Sequence, residues 1–300
     1  MATVSLSNFF LQKCDKNHSQ STGESTVLFI WETLLEMVRR NSNTITIRGV
    51  FDNVEMLRKE LKSINMKQVP CYISIDAACD LFKRFIGLTA SSSHNRNNNL
   101  GETILDSGNK ALEQLRKARE KISKNASKIV KDGSTILLHG HSRCVLSSVS
   151  NLKSGTIYMT KSSGEVEQKT IEKISSELNF SANVVIKLIP DTAMAFYMQK
   201  VDFCLVGAEG VIENGGIVNQ IGTYQLAIVA KSFNKPFYCA SESYKFMRMY
   251  PLSQDELRNP EDDSGPLVDM TPPELITLFF TDIGVMTPGA VCDELMKLYE

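Results

Sequence analysis

The stretch from Leu205 to Ser243, with the apolar run that leads into it, constrains this chain more than any other. That run, Val201 to Val206, is broken only by Asp202, and its length and β-branched content suit a buried strand. Gly207 and Gly210 follow, then Gly215 and Gly216, then Asn219, Gln220 and Gly222. A helical period runs on through Tyr224, Leu226, Ala227, Ala230 and Phe233, and Phe237 to Ala240 reads as a short strand. Strand, polar glycine-rich loop and helix in that order predict one unit of an open α/β sheet. In such sheets ligands bind at the loops beyond the carboxyl ends of strands, where backbone comes close and helix N-terminal amides meet anions. Ordinary turn chemistry in a structural domain accounts for the same residues, so this stretch alone leaves both readings open.

Upstream the pattern is helical. Val27, Ile30, Trp31, Leu34, Leu35 and Val38 recur at helical spacing, predicting a helix from Thr26 to Arg40 capped by Ser25 or Thr26, with Arg39 and Arg40 at its negative end. A second helix is predicted through Val50, Val54, Leu57, Leu61 and Ile64, and a third from Ile75 to Ile86, ending near Gly87. The run SSSHNRNNN at 91–99 is a polar break. A long helix is then predicted from Ile104 to Asp132, with Gly133 as its C-cap. Its cations, Arg116, Lys117, Arg119 and Lys121 among them, read as a solvated face, or else as a docking face for an acidic or phosphorylated partner. Residues 1–131 are therefore expected to form an all-helical N-terminal domain.

Beyond Gly133 strands and helices alternate. Strands are predicted at Thr135–Leu138, Thr156–Thr160, Asn183–Ile189 and Asp202–Val206, and helices at Val166–Leu178 and Thr192–Gln199. This alternation predicts a mostly parallel α/β domain over 132–300. The loop His139 to Arg143 should then share a sheet edge with Gly207 to Gly210, so that two polar loops converge on one crevice. The polar, acidic stretch 252–266 is expected to be an exposed loop, Leu275–Thr281 a last strand and Pro288–Tyr299 a terminal helix.

A formal net charge of -1 gives no general pull toward nucleic acid or anionic membrane, and no nucleic-acid motif is present. The seven cysteines are scattered, without CxxC or a nearby histidine cluster, so no metal site is expected and the thiols read as buried in a reducing compartment. No basic leader and no run of about eighteen apolar residues is found, which predicts a soluble cytoplasmic protein without membrane attachment.

The block GAEGVIENGGIVNQIGT, with KPFYCASESYKF at 235–246 and the ending ITLFFTDIGVMTPGAVCDELMKLYE, resembles a known family. It comprises the regulatory subunits of eukaryotic translation initiation factor 2B and their metabolic relatives, the methylthioribose-phosphate and ribose-bisphosphate isomerases. The ending is most similar to the alpha-type branch. The resemblance implies a helical domain followed by a Rossmann-like one, and a non-catalytic regulatory subunit of the guanine nucleotide exchange factor for initiation factor 2. The implied partners are a second copy of the chain in a homodimer, the beta and delta subunits, and the phosphorylated alpha subunit of initiation factor 2. Arg39, Arg40 and Thr44, at the first two helices and their junction, are the candidate surface for that phosphorylated partner, although ordinary helix-end cations account for each singly.

The family's isomerases use a cysteine after the first strand of this domain and an aspartate in a GAD motif. Aligned on their THCN, this chain has Leu138, His139, Gly140 and His141, so Gly140 stands at the cysteine position and Glu209 at the aspartate position. Proton transfer needs groups within about 3 Å of the reacting atom, so the missing cysteine argues against isomerase activity. The isomerases' NKIGT, which helps hold substrate, appears as Asn219, Gln220, Ile221, Gly222 and Thr223; Arg48 and Gly49 stand where they carry a phosphate loop. Together with His139, His141, Ser142 and Arg143, these residues form the expected pocket for a phosphorylated sugar or nucleotide. No cofactor is expected, and a sugar-phosphate isomerase is the alternative reading.

Overall fold

The computed structural model describes residues 6–12, 25–41, 46–63, 72–92, 100–140, 142–161, 183–257 and 265–299. Thr44, His141, the helix expected at Val166–Leu178, and residues 93–99 and 258–264 of the polar runs 91–99 and 252–266 lie outside them. The chain divides into two compact units, Met1–Lys117 and Ala118–Glu300.

The first unit is helical, as the apolar spacing dictates: α1 (Thr26–Arg40), α2 (Ile47–Ser63), α3 (Tyr72–Ser92) and α4 (Leu100–Arg116). Ser25 caps α1, its Oγ accepting the Val27 amide, and Thr46 Oγ1 accepts the Gly49 amide at the start of α2. Trp31 anchors the core: its ring meets Phe82 edge to face at 5.1 Å, and its Nε1 donates to the Gly108 carbonyl at 3.3 Å. Gly108 has no side chain because Leu35 fills that space, which lets α4 press against α1. The third helix outruns the expected stop at Gly87 by a full turn, because nothing crowds that glycine and the following residues continue the helix.

The expected long helix is two helices. It breaks at Lys117, and α5 (Ala118–Ala126) belongs to the second unit, where Ile122 and Ala126 enter the sheet's core. The division between units thus falls before α5 rather than after residue 131.

The second unit is built on a seven-stranded sheet. Its strands are β1 (Thr135–His139), β2 (Ser154–Lys161), β3 (Asn183–Pro190), β4 (Phe203–Val206), β7 (Phe237–Ala240), β9 (Leu278–Phe280) and β10 (Val285–Met286). Their order is β10-β9-β7-β4-β1-β2-β3, all parallel except β10. The period of two sorts the strands' side chains between two cores. Ile136, Leu138, Phe203 and Leu205 face α5 and α6 (Arg143–Val149), whereas Leu137, Cys204 and Val206 face α7 (Met194–Met198) and α8 (Thr223–Ser232). A final helix, α9 (Pro288–Tyr299), follows β10 and adds Val291 and Leu295 to the second of these cores.

The glycine-rich stretch departs from the sequence reading. The single loop expected between β4 and α8 contains two further strands, β5 (Gly210–Val211) and β6 (Ile217–Gln220). They form a hairpin, and β6 also pairs antiparallel with β8 (Val268–Thr271). The physical reason is burial: Val211, Ile212, Ile217 and Val218 are wholly enclosed, yet four apolar residues split by two glycines carry no readable period. The last strand is likewise shorter than expected, since Pro272 and Pro273 set a 3₁₀ turn through Leu275 before β9 begins.

Candidate functional site

In the strand order the chain runs outward from β1 to β2 and β3, then returns to start again at β4 on β1's other side. The crevice beyond the carboxyl ends of β1 and β4 is therefore the topological switch point, where open α/β sheets bind ligands. His139 is paired with Val206 in register, so the β1–α6 loop and the Gly207–Gly210 segment leave the sheet side by side. Their approach is tight, for a Cβ on Gly207 would collide with the Ser142 side chain. The two polar loops converge as the sequence predicted.

His139 turns inward. It is 1 % exposed, with Nδ1 2.7 Å from Thr160 Oγ1 and Nε2 2.9 Å from the Ile221 carbonyl. A carbonyl only accepts, so Nε2 carries the proton and Nδ1 accepts from the threonine hydroxyl. Burial holds its pKa below the usual histidine value, outweighing the Ile221 carbonyl that favours the charged ring. Both nitrogens are committed to holding β1, β2 and the β6–α8 turn together.

Gly140 lies in the left-handed region at φ +75°, and a Cβ there would stand 2.8 Å from Gln220 Oε1. Two positions singled out in the sequence, 140 and 220, thus share one volume. Asn219 is a strut rather than an open donor: it is 7 % exposed, its Nδ2 donates to Thr223 Oγ1 at 3.0 Å, and that hydroxyl donates to the Gln220 carbonyl at 2.6 Å.

A charged cluster at the same sheet edge escaped the sequence reading. Glu242, just past β7, is 1 % exposed, and its Oε1 accepts from Tyr244 Oη at 2.9 Å and faces Arg119 Nε at 3.5 Å. Lys245 Nζ lies 3.3 Å from Oε2 and donates to the Ala208 carbonyl at 2.7 Å. Burial by itself would raise the Glu242 pKa, but Lys245, Arg119 and the Cys144 thiol hold it down to about 2. Lys245 is raised despite burial, by Glu242 and then by Glu209. Burial, and then the charge on Arg119, push Arg143 down. Cys144, wholly enclosed and beside Glu242, has its thiol pushed well up and is not a ready nucleophile. Three cations, Arg119, Arg143 and Lys245, thus face two carboxylates, Glu242 and Glu209.

Arg119 had read as part of a solvated helix face; the break at Lys117 turns it into the second unit instead. Glu242 and Lys245 left one signal, a polar run directly after the apolar strand Phe237–Ala240. Arg48 and Gly49 lie in the first unit, at the start of α2, with Arg48 exposed. Arg39 and Arg40 sit on the surface of α1, and both pair with Glu36, at 2.6 and 3.1 Å. Among the described residues no group of three or more His, Cys, Asp or Glu side chains could hold a metal, and no helix is long and apolar enough to cross a membrane.

A helical unit followed in the chain by a mostly parallel sheet with a charged crevice at its switch point defines a Rossmann-like α/β protein. The chain belongs to the Initiation factor 2 subunit family, whose sequence profile matches residues 20–288. It is 38 % identical over 294 residues to a Dictyostelium discoideum protein named translation initiation factor eIF2B subunit alpha, covering 89 % of each chain. A Caenorhabditis elegans protein of the same name is 31 % identical over the whole of both chains. A Methanocaldococcus jannaschii protein named putative methylthioribose-1-phosphate isomerase is 33 % identical over 151 residues, 41 % of this chain and 42 % of that one. The fold matches a subunit in the crystal structure of the tetrameric eIF2B-beta2-delta2 complex from C. thermophilum, with a TM-score of 0.76 at 19 % identity over 98 % of this chain and 96 % of that one.

Proposed function

We propose that this chain is the alpha-type, non-catalytic regulatory subunit of the guanine nucleotide exchange factor for initiation factor 2. The observation that carries the reading is sequence likeness along the whole chain to proteins named as that subunit, against sequence likeness to a named isomerase over 41 % of it. In this role it bridges the complex as a homodimer, meets the beta and delta subunits in the cytosol, and transmits inhibition by the phosphorylated alpha subunit of initiation factor 2. The exposed apolar side chains of Val185 on β3 and Phe196 on α7 support a self-association face at that end of the sheet. Nucleotide exchange measured on complexes with and without the chain tests the role. Inhibition by phosphorylated factor 2 should be blunted without it, and undiminished inhibition would overturn the reading.

The departures from the isomerase pattern support a non-enzymatic role. Gly140 offers no thiol, its left-handed backbone disfavours any side chain, and Cys144 is enclosed beside Glu242. Binding is separable from turnover. With Arg119, Arg143 and Lys245 set against Glu242 and Glu209, the crevice carries a local positive excess suited to a phosphorylated sugar or nucleotide. Calorimetry with ribose phosphates and nucleoside monophosphates tests this, and no heat at millimolar ligand would remove it. Turnover of methylthioribose phosphate or ribose bisphosphate would instead favour the isomerase reading.

A further inference from the structure

A second cavity lies in the same unit, on the far flank of the Gly222 turn, between α8, β8 and the 3₁₀ turn Gln254–Leu257. It measures about 650 Å³, within the usual range for small-molecule pockets. Among the described residues its lining includes neither Arg119, Arg143, Glu242 nor Lys245, and no Lys, Arg or His. Three aspartates line it instead: Asp191, Asp255 and Asp269.

Asp269 is the centre of the argument. It is 6 % exposed, and its Oδ2 accepts the amides of Gly222 at 2.7 Å and Tyr224 at 3.1 Å. Its Oδ1 is buried without a hydrogen-bond partner. Asp191 Oδ1, on the same cavity, is also buried without one. A buried acceptor left unmatched is costly, more so when charged, so two in one cavity point to donors supplied from outside the chain. The three aspartates favour a cationic donor over a neutral one. The positive end of α8, which would otherwise attract an anion, is already occupied by Asp269, and every ionisable acid on the cavity wall repels phosphate. The rest of the wall is apolar, with Ile221 and Ile228 42 % and 47 % exposed. Burial pushes the Asp269 carboxyl up to about 6, as expected of a charge still lacking its counterion.

We propose that this cavity binds a small organic cation, an alkylamine or alkylguanidine, with its charged head at Asp191 and Asp269 and its aliphatic stem along Ile221 and Ile228. The site is independent of the phosphate crevice and of the regulatory reading.

Titration calorimetry of the full chain with agmatine and spermidine tests it, with inorganic phosphate and n-butanol as controls. The two amines should give saturable heat, and the controls none. Asp269→Asn keeps an acceptor for the helix amides and should weaken amine binding by about tenfold or more, as should Asp191→Asn. Because Asp269 also holds α8, a surface variant guards the test. Ile228→Lys places a competing cation on an exposed wall and should abolish the heat while leaving the melting temperature unchanged. No amine heat at about 5 mM, or undiminished binding in Ile228→Lys and Asp191→Asn, would overturn the proposal.

Discussion

Gln220 Oε1 stands 2.8 Å from the point a Cβ on Gly140 would occupy, so the side chain at 220 fills the volume that a side chain at 140 would need. The amide end of Gln220 is flexible and can swing aside; the backbone at φ +75° cannot adapt so easily. Gly140→Ala should therefore cost about 1–2 kcal/mol in urea denaturation, mostly from the left-handed backbone. Gly140→Cys should restore no isomerase turnover, even combined with Gln220→Lys.

Gly222 is the harder case. Its φ is +99°, and a Cβ there would stand 2.9 Å from the His139 ring, which two hydrogen bonds hold in place. Gly222→Ala should cost about 2–4 kcal/mol, strain and overpacking together, and more than Gly140→Ala. Parallel denaturation curves give the order directly; a smaller cost at 222 would contradict the fixed ring.

Glu242 balances Arg119 and Lys245 inside the protein. Glu242→Gln leaves buried cations uncompensated and should destabilise by about 3–5 kcal/mol at neutral pH. Its folded pKa of about 2 lies below the ordinary 4.5, so its contribution is full above that value and fades as pH falls toward 2. The difference between wild type and variant should therefore narrow only in strong acid.

Asp269 works in the opposite sense. Its folded pKa, about 6 against an ordinary 3.8, means the folded chain holds the proton more tightly. That contribution is full below about pH 4 and is lost as pH rises through 6, a swing of about 3 kcal/mol. His139, depressed by burial, gains as pH rises up to the ordinary histidine value, so the two must be separated. Subtracting the pH–stability curve of Asp269→Asn isolates the falling limb; no difference between pH 4.5 and 7 would contradict it.

Where residues act through short-range pattern, the sequence was readable. The helix Thr26–Arg40, the strand Phe237–Ala240 and the helix Pro288–Tyr299 were placed to the residue, because period and caps determine them locally. Convergence of the loops at His139 and Gly207 followed from parallel topology. The hidden parts depend on partners distant in the chain. Asp269 reaches Gly222 across 47 positions, and Arg119 reaches Glu242 across 123. Neither pairing leaves a periodic trace, and a lone Asp in VDMT or Arg in a cation-rich helix reads as surface. His139 shows the converse: it looked like a pocket ligand because of its loop, yet its hydrogen bonds face the interior.

The strand that carries Gln220 is fastened on both sides, to β5 and to β8, so one wall of the switch-point crevice is woven rather than hinged. A wall of that kind does not close over a guest. It offers a shape settled in advance, so any guest would be accepted or refused by how well it already fits.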